Sequence, residues 1–374
     1  FTAFQIAVVD WMAQWEHRPD AVHVHDHHTG LIPFMMRNCF AYRHLAGVPT
    51  VLTIHNAQYQ GWMSWDKSSY LPAWDTWQWG LLDWDNMINP LACAIKCADR
   101  VSTVSPTYME ELTENANGLE SLFIQERFKC SGILNGIDTV VWNPATDTYI
   151  LDNYSLEDAQ AGKQLNKKKL CTDFKLDAKL PLFIYIGRLV VEKAADLLPQ
   201  AIADSISQLG NKMNFLILGS GDKKVENQLT YLNGNFAGYY NSRIGYNEKL
   251  AHQMYAGADF ILMPSRVEPC GLNQMYALRY GTIPIVRSTG GLKDTVTDIG
   301  EPNARLNDTV GQGFGLRFNH ASVWDITYSI HRAVELFDDT EKMTVIIKQI
   351  MQIDKSWEKS AEKYINLYES IQLK

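Results

Sequence analysis

The sequence predicts an α/β protein built from two open, doubly wound domains, and three observations carry that expectation. Short apolar runs of strand length alternate with stretches of helical periodicity, the pattern of parallel βαβ units. The rhythm breaks around residues 145–178 and then resumes. At 374 residues the chain exceeds one comfortable core and suits roughly two or three domains.

Element by element, FTAFQIAVVDWMAQW (1–15) has the pattern of an amphipathic helix, and no strand precedes it. The first domain is therefore expected to lack its leading strands. DAVHVH (20–25) reads as a buried strand, 29–45 as a helix, VPTVLTIHN (48–56) as a strand and 85–98 as an apolar-periodic helix. RVSTVS (100–105) is the next strand, with Pro106 where a following helix would begin. Residues 57–84 hold six of the eleven tryptophans. These rings either line a carbohydrate cleft or form an insertion packed by its own side chains.

The turn-rich NPATDTYILDNYSLED and the basic run NKKK (166–169) mark the junction, placed at 151–178 between a first domain of 1–150 and a second of 179–350. In the second, strands are expected at LFIYIG (182–187), MNFLILGSG (213–221), NFAGYY (235–240), DFILMPS (259–265), TIPIVRS (282–288) and GFGLRF (313–318), with helices between them. Helices near 321–337, 341–350 and 355–371 close the chain.

Composition narrows the function. Apolar residues are 46% and charged residues 20%, as in folded proteins. Lys plus Arg total 34 against 42 acidic residues, a net charge of −8. That balance argues against a nucleic-acid backbone as the main partner, while leaving room for a local basic pocket that binds a diphosphate. No apolar run approaches the roughly 18 residues of a membrane span. The six cysteines include no CxxC pair, which favours a reducing compartment.

In open α/β sheets, ligands bind outside the carboxyl ends of the strands, so the post-strand residues are the candidates. HVHDHHTG (23–30) concentrates histidines. His23, His25 and His27 alternate in a zinc-like way, but no partner set follows, and His25 reads better as a substrate contact, with packing or capping as the other reading. GRLVVEK (187–193) places Arg188 and Lys193 near a helix N-terminus, where cations and backbone N–H groups suit a diphosphate. It is neither a Walker A loop nor a GxGxxG fingerprint. GSG (219–221) is too short to be specific, and a tight turn explains it equally well. SRVEPCG (265–271) puts Glu268 at a sheet edge, able to bind sugar hydroxyls or stabilise a cationic transition state. STGGLKD (288–294) offers paired glycines whose backbone N–H groups could meet an anion.

Taken together, these motifs resemble bacterial glycogen synthase and plant starch synthase, the retaining nucleotide-sugar α-glucosyltransferases with two Rossmann-like domains facing a cleft, the GT-B type. The matching stretches run nearly end to end: HVHDHHTG, TIHNAQYQG, RVSTVSPTYMEEL, GILNGIDTVVWNP, GRLVVEKAADLLP, the long segment from Ala256 to Val296, and GQGFGLRF. The resemblance implies that Arg188 and Lys193 neutralise the donor diphosphate and that Glu268 holds donor sugar hydroxyls. It implies that Gly290 and Gly291 offer N–H groups, that Tyr246 packs on the base, and that His25 and Asn135 meet the transferred glucose. Cys270, Gly271, Asn273 and Thr289 complete the implied donor-binding set. Implied with it are ADP-glucose or UDP-glucose as donor, an α-1,4-glucan as acceptor, no cofactor and no catalytic metal. The location would be the cytoplasm, or the plastid stroma in a plant or alga, and the last helix (351–374) would return to the first domain. Three departures stand out: no Lys-Gly-Gly-Leu opening loop, Ala194 where the family commonly has Gly, and Asn273 where many members have Thr. Another retaining two-domain glycosyltransferase, or an inactive glucan-binding relative, is the alternative.

Overall fold

The computed structural model describes residues 1–300 and 313–372; Gly311 and Gln312 of the GQGFGLRF motif lie outside them. The chain divides into two compact units, Phe1–Asn135 with Glu358–Lys374, and Gly136–Trp357.

In the first unit, α1 (Thr2–Met12) precedes β1 (Val22–His25), α2 (Ile32–Asn38) and β2 (Thr50–Ile54). The helix expected over 29–45 is broken in two. α2 ends at Asn38, and a 3₁₀ stretch over Phe40–Leu45, kinked at Tyr42, replaces its second half. The Trp-rich segment contains α3 (Trp79–Leu82) and a hairpin of β3 (Asp83–Trp84) and β4 (Met87–Ile88). α4 (Pro90–Cys97), β5 (Arg100–Thr103), α5 (Pro106–Glu111), α6 (Glu120–Gln125) and β6 (Cys130–Gly132) follow. The helix starts are local: Asn89 and Ser105 accept from Ala92 N and Tyr108 N, and each precedes a proline at the first helical turn. The sheet is parallel in the order β1-β2-β5-β6. β6 has no sequence signal, because CSG carries neither apolar length nor alternation.

The second unit opens earlier than the expected junction. Its sheet strands are β7 (Leu182–Leu189), β8 (Asn214–Gly221), β9 (Tyr240–Ile244), β10 (Phe260–Met263), β11 (Ile283–Arg287) and β12 (Leu316–Phe318). Its helices are α7 (Ala159–Phe174), α8 (Leu198–Leu209), α9 (Lys223–Asn235), α10 (Glu248–Gly257), α11 (Asn273–Arg279), α12 (Gly290–Thr295), α13 (Val323–Asp338) and α14 (Thr340–Met351). α15 (Trp357–Gln372) then rejoins the first unit, where Tyr368 meets His23 and Ser360 Oγ donates to Leu134 O. Residues 136–158, expected in the first domain or the junction, are bolted to the second sheet's helices. Trp142 stacks between His252 and Tyr276, each with centroids at 3.9 Å. Asp147 Oδ2 accepts from the Tyr280 hydroxyl (2.6 Å) and sits 2.7 Å from His252 Nδ1. The basic run, expected to mark the junction, lies within α7, and Lys167 Nζ is buried against Asp259 at 2.6 Å.

The strand order β12-β11-β10-β7-β8-β9 is parallel throughout. Phe260–Met263 is buried along its whole length, as a strand covered on both faces should be. β9 begins where NFAGYY ends, because α9 runs to Asn235 and Gly238, at φ 92°, turns the chain before Tyr240. The order reverses between β7 and β10, the topological switch point at whose carboxyl end an open sheet forms its crevice.

The Asp147 network predicts a cost. Asp147 and His252 are 2% and 1% exposed, so removing the carboxylate strands buried polar groups. Asp147→Ala should destabilise the second unit by about 3–5 kcal/mol, read as a lower urea midpoint for its transition.

Candidate active site in the second unit

β7 and β10 each deliver a loop to the switch point. Gly187 and Arg188 stand near the end of β7, before a loop that carries Lys193, and the second loop carries Ser265 and Glu268. Lys193 Nζ lies 2.7 Å from Glu268 Oε2, and Ser265 Oγ donates to the same oxygen at 2.8 Å. Glu268 is only 9% exposed. These side chains, with Tyr185, Leu262, Leu272 and Asn273, line a pocket of about 200 Å³. Asn273 donates from Nδ2 to Ile186 O at 2.6 Å, which fixes the start of α11 against the end of β7.

Arg266 holds the two loops together, and Arg287 braces the second of them. Arg266 forks onto Asp196 (2.6 and 2.9 Å) and donates to Val191 O, while its backbone N–H donates to Glu192 O. Arg287, on β11, donates to Ser265 O and Arg266 O at 2.7 and 2.6 Å. Such bidentate guanidinium contacts fix geometry as well as charge. Sequence reasoning assigned no role to Ser265, Arg266, Asp196 or Arg287. The first two flank Glu268 in the quoted motif and were within reach; the other two have no local signal.

The paired glycines pack against the Glu268 loop. The Gly291 N–H donates to Glu268 O (3.1 Å) and Pro269 O (3.2 Å), so it is spent on the loop rather than offered to an anion. A Cβ at Gly290 would lie 2.1 Å from Glu268 O, and one at Gly291 2.1 Å from Cys270 O. Absence of side chains lets α12 press against the Glu268 loop. GSG is explained the same way. It ends β8 rather than forming a turn, and a Cβ at Gly219 would lie 2.1 Å from Gly187 O on β7.

The remaining candidates are dispersed. Arg188 stands near the end of β7, just before the Lys193 loop, but its side chain is 59% exposed and pairs with Glu192 at 3.3 Å. Cys270 is buried, Gly271 turns at φ 72° over the Gln274 amide, and Thr289 is the buried residue before α12. Gln274 Nε2 donates to Cys270 O, Gly271 O and Thr295 Oγ1, a bracing role the sequence did not suggest. Tyr246 is 87% exposed in the loop after β9, two strands from β7.

His25 and Asn135 belong to the first unit. His25 ends β1 with its ring stacked on His23 (4.5 Å, 22°) and Nδ1 3.0 Å from His55 Nε2. Asn135 follows β6, half-buried. His27 turns away, its Nδ1 2.9 Å from Tyr59 O, because Asp26 adopts φ 51°. Among the described residues no group of three or more His, Cys, Asp or Glu is placed to hold a metal ion. The tryptophans of 57–84 are divided. Trp65 and Trp84 donate their indole N–H groups to Asp83 Oδ1 and Gly118 O, whereas Trp77 is 90% exposed.

Comparison with known proteins places the whole chain. Residues 1–125 match the starch synthase catalytic domain family, and 166–304 match glycosyl transferases group 1. The glycogen synthase of Flavobacterium johnsoniae is 53% identical over 371 residues, covering 99% of this chain and 76% of that protein. That of Clostridioides difficile is 35% identical, with 99% and 76% covered. The catalytic domain of Arabidopsis thaliana starch synthase IV, solved with ADP and acarbose, superposes with a TM-score of 0.89 at 32% identity, covering 100% of this chain and 77% of that one. A sucrose-phosphate synthase from Thermosynechococcus elongatus shares the fold alone, at TM-score 0.62 and 19% identity over 98% and 77% of the two chains. No helix among the described residues is long and apolar enough to cross a membrane.

One departure has a conformational cost. Ala194 follows Lys193 at φ 52°, ψ 30°, fully buried. A left-handed alanine costs about 1–2 kcal/mol, and glycine's extra chain entropy returns about 0.5–1. With the buried methyl worth about 0.8 kcal/mol, the terms nearly cancel, and Ala194→Gly should leave the second unit within about 1 kcal/mol of its original stability, measured by chemical denaturation.

Proposed function

The chain belongs to the glycogen synthase and starch synthase family of glycosyltransferases, and from that premise we propose that it transfers glucose from ADP-glucose or UDP-glucose to the non-reducing end of an α-1,4-glucan, with retention of configuration. The observation that carries the reading is the Lys193–Glu268 pair in a pocket at the switch point. A dinucleotide-type sheet binds its phosphates at this place, and a cation there meets the charge that grows on a departing diphosphate. The ADP and acarbose of the Arabidopsis structure support an adenine nucleotide and a glucan-like acceptor.

In this scheme Lys193 and Arg188 bind the donor diphosphate. Lys193 is already ordered by Glu268, so little reorganisation precedes the reaction. Glu268 accepts hydroxyls of the donor sugar with the oxygen geometry that Lys193 and Ser265 set. His25 and Asn135 meet hydroxyls of the transferred glucose. Tyr246 contacts the base, and no metal or cofactor is required.

Retention raises the question of a covalent glucosyl-enzyme on Glu268. Two features favour front-face transfer assisted by the diphosphate instead. Oε2 is engaged by both a lysine and a serine, which blunts it as a nucleophile. Glu268 is also the sole carboxylate lining the pocket among the described residues, whereas two-carboxylate double displacement needs a partner about 5 Å away.

Steady-state kinetics with glucan and each donor test the assignment. Lys193→Ala should reduce kcat/KM by roughly a hundredfold or more, the scale of losing one transition-state charge contact. Arg188→Ala should act in the same direction. Glu268→Gln should retain measurable transfer, and Glu268→Ala should lose much more. Near-normal kcat/KM for Lys193→Ala would reduce the pair to a structural ion pair, and a glucosyl ester trapped on Glu268 would overturn its role.

A further inference from the structure

β1 and β2 are parallel and in register, with His25 opposite Thr53, so the residues just past each strand share one rim. Asp26 ties the two post-strand loops together. Its Oδ1 accepts from His55 N at 2.7 Å and Asn56 N at 3.4 Å, from a backbone held at φ 51°. A non-glycine residue in that conformation persists only where its surroundings impose it. The loops so joined bring His25 Nδ1 to 3.0 Å from His55 Nε2.

An N···N contact this short is a hydrogen bond only when one nitrogen bears a proton and the other a lone pair. It therefore excludes the state in which both rings are cationic. It also breaks the near-equivalence of the two flips of the His25 ring. The ring is further confined by stacking on His23, which is itself held between the Tyr368 hydroxyl and Thr53 Oγ1, each at 2.7 Å. The backbone is pinned as well: His25 N donates to Thr29 Oγ1 at 2.6 Å. With Nδ1 taken, Nε2 is the edge of His25 left for a ligand.

We propose that His55 is a positioning residue for glucosyl transfer, fixing the rotation and tautomer of His25 so that Nε2 meets a hydroxyl of the transferred sugar. The proposal rests on the assignment of His25 made above. The groups facing His25 are His23 on β1, Asp26 beyond it and His55 beyond β2, with Tyr368 of α15 reaching it through His23. Burial first, and His55 second, hold the His25 pKa below 6.5, while Asp26 opposes them. Removing His55 removes one depressing influence. The His25 pKa then rises toward 6.5, and the acid limb of the kcat profile moves to higher pH.

The experiment compares His55→Phe, His55→Gln, His25→Ala and the His25→Ala/His55→Phe double variant in the full-length protein, as kcat and donor KM across pH. His55→Phe should lower kcat roughly ten- to a hundredfold with little change in donor KM, and shift the acid limb upward. His55→Gln, whose amide N–H supplies a donor on a similar reach, should recover part of kcat while keeping the shifted limb. The double variant should be no slower than His25→Ala, because one interaction is lost only once. An unmoved acid limb in His55→Gln, or losses that add in the double variant, would overturn the role of His55. A wild-type rate for His25→Ala would instead sink the underlying assignment of His25, so the two failures are distinguishable.

Discussion

The second unit is organised around one contact, the carboxylate of Glu268 held between Lys193 and Ser265. A carboxylate this buried is costly without partners, and the geometry supplies both a cation and a hydroxyl. The contact joins the loop after β7 to the loop after β10, the two strands flanking the switch point. Strand order therefore decides whether it can form at all. The Arg266–Asp196 fork makes the same connection between the two loops, and Arg287 on β11 holds the loop after β10 through two of its carbonyls. Both ends of the Lys193–Glu268 contact are thereby braced.

Close backbone approach is the second constraint. Gly219 lets β8 pass β7, and Gly290 and Gly291 let α12 press on the Glu268 loop, with forbidden distances of 2.1 Å in each case. The lack of side chains at these glycines is what permits the close approach. The third device lies beyond the pocket, where Trp142, Asp147 and Tyr154 attach the incoming chain to α10 and α11. These attachments explain why the unit begins at Gly136, ahead of the turn-rich stretch.

The first unit repeats the logic with imidazoles in place of ions. Asp26 joins two loops after adjacent strands, as Arg266 does in the second unit, and the join brings His25 to His55. Burial keeps His23 neutral, with its pKa lowered to about 4, further depressed by His25 and His55. Charge is thus kept out of the stacked histidine pair.

Much of this was legible in the residue order. Strand-length apolar runs, Asn89-Pro90 and Ser105-Pro106 helix starts, and polar loops directly after strands are short-range signals, and they located Lys193, Glu268 and His25 as candidates. The resemblance over long motifs pointed to the family that the comparisons support. What sequence could not reach depends on contacts between distant segments. β6 is too short and polar to announce itself, and β9 starts only where α9 and the Gly238 turn allow. Whether NKKK is surface or core depends on Asp259 lying opposite Lys167. Local propensity selects helix, strand or turn over a few residues, but ion pairs, glycine approaches and the histidine contact exist only after sheet order sets which loops become neighbours.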